Sequence, residues 1–222
     1  MRYLIVAAHP DDEVLGAGAT IHKLAGQGHE VYVCMMSHWS PTRDDNLEEG
    51  IKESHRILGV KKAYIGDFGC MRFKDADHHE IVRFIESSIK DCRPDVLITH
   101  HPADIHVDHG ITAECCLEAA KLPQRGIMDI PPIRSISFME VPSSTDWNIN
   151  TSNMKFDANG YEEVIEQDLD AKIRAIEVYK DVMRSRPHPR CMESIFAKAV
   201  CRGCESGYEY AEAFQIAFRL GV

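Results

Sequence analysis

The chain has 222 residues, 44% of them hydrophobic, and a formal net charge of −10 with a pI near 5.6. This length and apolar content suffice for one sizeable domain with a continuous core, and they argue against disorder. The acidic balance disfavours nucleic acid and anionic lipid as partners, and no apolar stretch approaches the length of a membrane span.

Short apolar runs alternate with segments of helical periodicity along the first two thirds of the chain. The strand-like runs are Arg2–Ala8, Glu30–Met36, Lys62–Ile65, Asp95–Thr99 and Ile136–Val141, and the helical segments between them are Gly16–Ala25, Leu47–Leu58, Asp77–Cys92 and Gly110–Lys121. Strands that alternate with helices form right-handed crossovers. The pattern therefore predicts an α/β protein with a mostly parallel sheet.

The last third has a different character. The sequence predicts a polar loop at Ser143–Asn153, a short edge strand at Met154–Phe156, a long amphipathic helix at Tyr161–Met183 and a further helix at Met192–Val200. A proline-fixed turn, Arg186–Arg190, separates the two helices. No linker-like or repeated segment interrupts the chain, so we expect residues 1–222 to form a single domain with C-terminal helical additions.

Two clusters of histidine and carboxylate follow strand-like runs. His9-Pro10-Asp11-Asp12-Glu13 comes after the first run, and His106-Val107-Asp108-His109 comes after the fourth. In doubly wound sheets the first and fourth strands are commonly neighbours, and the winding reverses between them. We therefore expect the two clusters to meet in the crevice at the carboxyl ends of these strands, within reach of one ion.

The residue types in these clusters are those of a catalytic metal site. His9, Asp12 and His109 offer two imidazoles and a carboxylate, and three protein ligands with an open fourth position are typical of catalytic zinc. Asp11 lies beside a ligand but should point differently, toward the activated water, as a general base.

Two further residues of the second cluster have expected roles. His106 could stabilise a developing oxyanion and protonate a leaving amine, and Asp108 would orient one of the histidines by accepting a ring N–H.

Other interpretations of the same residues remain open. Asp11 and Asp12 also fit a helix N-cap. Two histidines and a carboxylate also describe the facial triad of non-haem iron enzymes, and a sugar-binding or metal-storing module could keep the fold without turnover. Gly16-Ala17-Gly18 lacks the third glycine of a dinucleotide fingerprint. The eight cysteines show no disulfide framework and the N-terminus no signal-peptide pattern, so we expect a cytoplasmic protein with reduced thiols.

On the segments Ala8–Glu13 and His106–His109, the chain resembles the PIG-L/LmbE-like family of zinc-dependent N-deacetylases. The resemblance implies a Rossmann-like three-layer fold, one Zn²⁺ per chain, and removal of the acetyl group from a GlcNAc-type sugar or glycoconjugate. By the family motif, His9, Asp12 and His109 match the zinc ligands and Asp11 the general base. His106 matches the histidine that assists the tetrahedral intermediate, with Asp108 as its supporting carboxylate. Homo-oligomers, such as trimers or hexamers, are also implied.

One region departs from the family pattern. The segment Ser37–Arg43 replaces a Gly-Glu element that many relatives carry after the second strand. Trp39 could stack on a sugar and Arg43 could pair an anionic group, with Arg186 and His188 of the proline-fixed turn as further substrate contacts. The alternative substrate is another sugar-linked or thiol-conjugate amide, hydrolysed by the same zinc chemistry.

Overall fold

A computed structural model describes residues 1–38, 47–127, 129–148 and 154–221. The strands are β1 (Arg2–Ala7), β2 (Glu30–Met35), β3 (Lys62–Ile65), β4 (Val96–His100), β5 (Ser135–Met139), β6 (Gly160–Val164) and β7 (Tyr210–Arg219). The helices are α1 (Asp12–Gly26), α2 (Leu47–Leu58), α3 (His78–Cys92), α4 (Val107–Ala119), α5 (Lys121–Gln124), α6 (Glu166–Glu177) and α7 (Met192–Ser206), with a 3₁₀ turn at Phe73–Asp75.

All seven strands form one sheet in the order β3-β2-β1-β4-β5-β7-β6. β1 pairs in parallel with β2 on one side and with β4 on the other, and β5 continues the parallel set. β7 runs antiparallel between β5 and β6. The predictions of an α/β fold with a mostly parallel sheet, and of β1 beside β4, are therefore confirmed.

The central strands are buried on both faces, as parallel strands between two helical layers must be. In β1, Ile5 and Ala7 pack toward one core, while Leu4 and Val6 pack toward the other. α1, α2 and α6 supply residues to the first core, and α3 and α4 to the second. This arrangement leaves the carboxyl edge of the sheet as the accessible end of the strands.

The glycines at the start of α1 serve close packing. A Cβ on Gly16 would lie 2.6 Å from Met139 Sδ, and one on Gly18 would lie 3.0 Å from Lys172 Cγ. Helix α1 therefore approaches β5 and α6 closely at this point. Close packing therefore explains both glycines, and no phosphate ligand is needed to account for them.

The C-terminal third differs from the sequence prediction. The helix predicted at Tyr161–Met183 is wrong in its first part, because Gly160–Val164 is strand β6 and the helix begins only at Glu166. Met154–Phe156 is not a strand. β6 pairs along its whole length with β7, from Gly160 opposite Phe214 to Val164 opposite Tyr210. The additions after β5 are thus two helices and two antiparallel strands.

Two expectations about the chain's environment have structural counterparts. All eight cysteines are free thiols in the structure. In the described part of the chain, no helix combines the length and the apolar character that crossing a bilayer requires.

A buried ion pair joins α1, α6 and β7. Lys172 Nζ lies 2.6 Å from Glu212 Oε1 and donates to the carbonyl oxygen of Leu15 at 2.8 Å. Glu212 also accepts hydrogen bonds from the backbone N–H groups of Ala19 and Thr20. These contacts give hydrogen-bond partners to backbone groups of helix α1 near Ala17, where the backbone dihedrals leave the helical region.

Because both side chains are less than a tenth exposed, Lys172→Met should destabilise the protein by about 3–5 kcal/mol, the usual cost of leaving one partner of a buried pair alone. Urea unfolding monitored by circular dichroism measures this change. Lys52→Met, which removes the exposed partner of Glu48, is the matched control and should leave the unfolding midpoint nearly unchanged. Equal midpoints for the two variants would contradict the assigned role of the pair.

Candidate active site

The two polar clusters meet at the carboxyl ends of β1 and β4. His9 follows β1 directly, and Asp12 opens helix α1. His106 is the N-cap of α4, which places Asp108 and His109 in the first helical turn. Pairing of β1 with β4 brings together residues that are about a hundred positions apart in sequence.

Asp12 is the meeting point of this cluster. Its Oδ2 lies 3.3 Å from His9 Nδ1 and 3.2 Å from His109 Nε2, and it accepts the backbone N–H of His9 at 2.9 Å. Ligands at about 2.0–2.1 Å from a tetrahedral zinc ion are about 3.3 Å apart. The two separations from Asp12 therefore match the spacing of zinc ligands. Ligand atoms of Asp12, His100 and His109 lie within 4.8 Å of one another, and so do those of His9, His106 and His109. Two imidazoles and a carboxylate are a donor set that suits zinc.

The protonation of this cluster follows from its charges. Burial lowers the pKa of His9, but hydrogen bonds to Asp108 and Asp12 outweigh it and raise the pKa to about 12. Burial also lowers the pKa of His109, but the nearby carboxylates of Asp12 and Asp104 outweigh it and raise the pKa to about 9. Although burial alone would raise it, His109 and His9 hold the pKa of Asp12 well below its usual range. Protons on the two imidazoles therefore balance the negative charge of the buried carboxylates.

His106 stacks on His109, with ring centroids 4.6 Å apart, and meets the ring of His9 at 4.8 Å. Its Nδ1 accepts the backbone N–H of Asp108 at 3.3 Å. That bond assigns the ring proton of neutral His106 to Nε2, because the nitrogen that accepts cannot carry the proton. His106 thus presents an N–H donor at the cluster.

Asp108 supports a different histidine from the one that the family resemblance implied. Its Oδ2 lies 2.9 Å from His9 Nε2, whereas it meets His106 only through its backbone N–H. The backbone N–H groups of Met71 and Phe73 also donate to the Asp108 carboxylate. The carboxylate of Asp108 therefore contacts His9, and its role in orienting a histidine stays a prediction.

Behind His109 lies a second carboxylate, which the sequence analysis did not identify. Asp104 Oδ2 is 3.3 Å from His109 Nδ1, and Ser144 Oγ is 3.2 Å from the same nitrogen. Ser144 and Thr145 also donate to Asp104. A carboxylate behind a ligating imidazole orients the ring and strengthens it as a ligand.

His100 is a second residue that the sequence analysis did not identify. It is fully buried, stacks on His109 with centroids 3.9 Å apart, and accepts the backbone N–H of Ala8 at Nε2. Burial, followed by the charge on His109, lowers the pKa of His100 to about 3. Its Nδ1 has no hydrogen-bond partner. Neutral His100 thus packs against the ring of His109. His100 Nε2 also lies 3.5 Å from Asp12 Oδ2, and with Asp12 and His109 it forms a group that could hold a metal ion.

The backbone of Asp11 is in the left-handed region, with φ of 108°. This conformation is strained for a residue with a side chain, and it persists only where the surroundings enforce it. The N–H of Asp11 donates to Glu13 Oε2 at 3.2 Å, and Glu13 is in turn bound by His55 and Tyr179. His55 is buried, and its ring lies 3.0 Å from Glu13 Oε1.

Arg190 forms an ion pair with Asp11. Its Nη1 lies 3.3 Å from Asp11 Oδ2, and its Nε donates to Ser143 Oγ at 2.9 Å. The loop of Ser143 and Ser144 therefore joins Arg190 on one side to His109 on the other. The sequence analysis placed Arg190 in the proline-fixed turn without assigning it to the site.

The substrate residues suggested by sequence have different outcomes. Trp39 and Arg43 lie outside the described residues. Arg186 is exposed and makes no contact with the cluster among the described residues. His188 packs edge-on against Trp147, with centroids 5.3 Å apart, and accepts the backbone N–H of Arg190. Trp147, half exposed beside this turn, is an aromatic surface that the sequence analysis missed.

The family model described as PIG-L, GlcNAc-PI de-N-acetylase, matches residues 4–120, which is more than half of the chain. The chain belongs to this family. The match includes both polar clusters and the strands β1 and β4 that bring them together.

Individual relatives agree with this assignment to the PIG-L family. The 1D-myo-inositol 2-acetamido-2-deoxy-α-D-glucopyranoside deacetylase of Mycobacterium leprae is 31% identical over 151 residues, 50% of this chain and 49% of that protein. The chain thus spans about half the length of the curated relatives it matches.

Two solved structures share the fold of this PIG-L family chain. N,N'-diacetylchitobiose deacetylase from Pyrococcus horikoshii has a TM-score of 0.75 and 21% identity, covering 97% of this chain and 83% of that one. GalB, the 4-carboxy-2-hydroxymuconate hydratase from Pseudomonas putida, also has a TM-score of 0.75, with 20% identity over 100% of this chain and 98% of that one.

If Asp104 orients His109 as a metal ligand, Asp104→Asn should weaken the tightest metal site by about 10–100-fold. His109→Ala should abolish that site. Zinc affinity can be measured by competition with a chromophoric chelator. His79→Ala, at an exposed position on α3, is the control and should bind like the wild type. Unchanged affinity in His109→Ala would remove His109 from the site.

Proposed function

We propose that this protein is a zinc-dependent N-deacetylase that hydrolyses the acetamide of a GlcNAc-type sugar or glycoconjugate. The observation that carries the proposal is the convergence of His9 Nδ1 and His109 Nε2 on Asp12 Oδ2, at 3.3 and 3.2 Å, with Asp11 buried next to it. Membership of the PIG-L family and the deacetylase named among its relatives support it.

His9, Asp12 and His109 would hold the zinc ion. When bound there, zinc supplies a Lewis acid that polarises a carbonyl and lowers the pKa of water. Asp108 behind His9 and Asp104 behind His109 keep the two rings turned toward Asp12. The aspartates also balance the positive charge that the ion brings into a buried site.

Asp11 is the proposed general base. It takes a proton from the attacking water while the water oxygen bonds to the acetamide carbon. As the C–N bond breaks, the same carboxyl returns that proton to the nitrogen. The remaining proton of the attacking water passes from the new acetic acid to the amine, so that acetate and a protonated amine are the products. Arg190, 3.3 Å from Asp11, keeps the side chain in place, and Glu13 holds its backbone.

His106 is the proposed oxyanion donor. Its Nε2 carries the ring proton, because Nδ1 accepts the Asp108 N–H. A preorganised donor of this kind stabilises the negative charge that develops on the carbonyl oxygen during attack.

For substrate binding we propose an aromatic contact at Trp147 in addition to Trp39 and Arg43. The loop that carries Trp147 also contacts His109 through Ser144 and Arg190 through Ser143. A half-exposed indole on this loop suits one face of a sugar ring. Arg186 and His188, on the adjoining turn, are proposed as outer contacts for an appended group.

We propose further that residues 1–222 act as one domain in a cytoplasmic homo-oligomer, such as a trimer or hexamer. The groove between α6 and α7, with exposed Met192 and Phe196 at its rim, supports an association between copies. Size-exclusion chromatography with light scattering measures the assembly directly.

Asp11→Asn should lower kcat by about 10²–10⁴-fold, the usual contribution of a general base, while the zinc content stays unchanged. The assay measures amine release from N-acetylglucosamine, its inositol conjugate and N,N'-diacetylchitobiose. Asp67→Asn, at a fully solvated carboxylate, should keep the wild-type rate.

Water addition to 4-carboxy-2-hydroxymuconate is measured alongside, because a hydratase has the same fold. Hydration without any amine release would overturn the proposal. Amine release only from thiol conjugates or other amides would keep the chemistry and correct the substrate.

Trp147→Ala should raise KM about 2–12-fold for sugar substrates, the range that corresponds to an aromatic contact worth about 0.5–1.5 kcal/mol. kcat and zinc content should change little, and Trp147→Phe should retain most of the affinity. Steady-state kinetics of the two variants with the same substrate provide the comparison. A wild-type KM in Trp147→Ala would assign sugar binding to other residues.

A further inference from the structure

Cys70 lies close to both His9 and Asp108. One potential ligand atom from each of His9, Cys70 and Asp108 falls within 4.8 Å of the others. The roles described above use His9 and Asp108 but leave this thiol without a function.

The donors of this group are already oriented. His9 Nε2 and Asp108 Oδ2 are 2.9 Å apart, and the Asp108 carboxylate is held by the backbone N–H groups of Met71 and Phe73. Phe73 is buried against the His9 ring. Thiolate, imidazole and carboxylate together are a donor set that suits zinc.

We propose that His9, Cys70 and Asp108 form a second metal site, weaker than the first, and that an ion bound there inhibits the enzyme. This inference rests on the proposed function for its inhibitory consequence, though not for binding itself. The imidazole of His9 would join the two sites, with Nδ1 facing Asp12 and Nε2 facing the second ion.

Binding at this site is an exchange of protons for a metal ion, without any transfer of electrons. The ion forms bonds to the Cys70 sulfur, His9 Nε2 and an Asp108 oxygen, while the thiol proton and a ring proton pass to solvent. The separation of His9 Nε2 from Asp108 must also widen by about 0.4 Å to reach zinc-ligand spacing. These costs make the second site the weaker one.

Inhibition follows from the shared residues. An ion on Nε2 withdraws electron density from His9 and takes Asp108 away from orienting that ring. The outer partner of a ligating histidine commonly changes activity about 10–100-fold when it is lost. Excess zinc should therefore reduce turnover although the first ion remains bound.

The test compares wild-type protein with Cys70→Ser and with Cys201→Ser, a matched control at an exposed cysteine. After dialysis against excess zinc, elemental analysis should find a second ion per chain in the wild type and in Cys201→Ser, but only the first in Cys70→Ser. Cys70→Ser should keep the basal kcat and lose the inhibition by excess zinc. A wild-type protein that saturates with a single ion would overturn the proposal.

Cobalt substitution shows which site holds the thiolate, because a thiolate-to-cobalt charge-transfer band appears only when sulfur binds the metal. The band should be present in the wild type, absent in Cys70→Ser, and retained in His109→Ala, which lacks a ligand of the first site. Loss of the band in His109→Ala would make Cys70 a ligand of the first ion and refute a separate site. These spectra are informative even if the protein has no deacetylase activity.

Discussion

A carboxylate that is almost fully buried, Asp12, organises the carboxyl edge of this sheet. Both His9 Nδ1 and His109 Nε2 lie close to one of its oxygens, although the two histidines come from different strand ends. Burial of such charge is costly unless it is paired. Protons on the imidazoles of His9 and His109 meet this requirement. Two imidazoles and a carboxylate are also a donor set that suits a divalent ion such as zinc. Stability of the folded cluster and capacity for metal thus have the same electrostatic origin.

The residues around Asp12 and its two histidines are also charged groups held by hydrogen-bonding partners. Asp104 and Asp108 each stand behind one imidazole, and backbone or hydroxyl donors in turn hold the two carboxylates. Glu13 acts similarly on the backbone of Asp11, whose left-handed conformation is maintained by a bond to a buried, fully bonded carboxylate. Such shells hold catalytic groups within the narrow tolerances that chemistry requires, and they do so at the ends of rigid strands rather than on long loops.

Sequence reasoning predicted the centre of the site better than its surroundings. His9, Asp12 and His109 lie in short clusters that follow apolar strands. Because the carboxyl ends of neighbouring parallel strands meet at one edge of the sheet, their proximity could be predicted. Asp104 and Arg190 carry no comparable signal, because each is an isolated charged residue in a loop. Their contacts form because the loops fold back over the sheet edge. Such loop folding produces no periodic pattern or fixed spacing in the sequence. Asp108 was expected to support a histidine, but only the structure shows that it is His9.

The amino-acid sequence by itself determined the α/β class, the five parallel strands and the adjacency of β1 and β4, because apolar periodicity and strand alternation are local properties of the chain. Tertiary structure alone decided the antiparallel strands β6 and β7 of the C-terminal third. Gly160–Val164 shows helical periodicity with the residues after it, yet it forms an edge strand because β7, about fifty residues later, offers a complete row of backbone partners. Backbone pairing between distant segments depends on where the rest of the sheet places them, and no local pattern encodes that position.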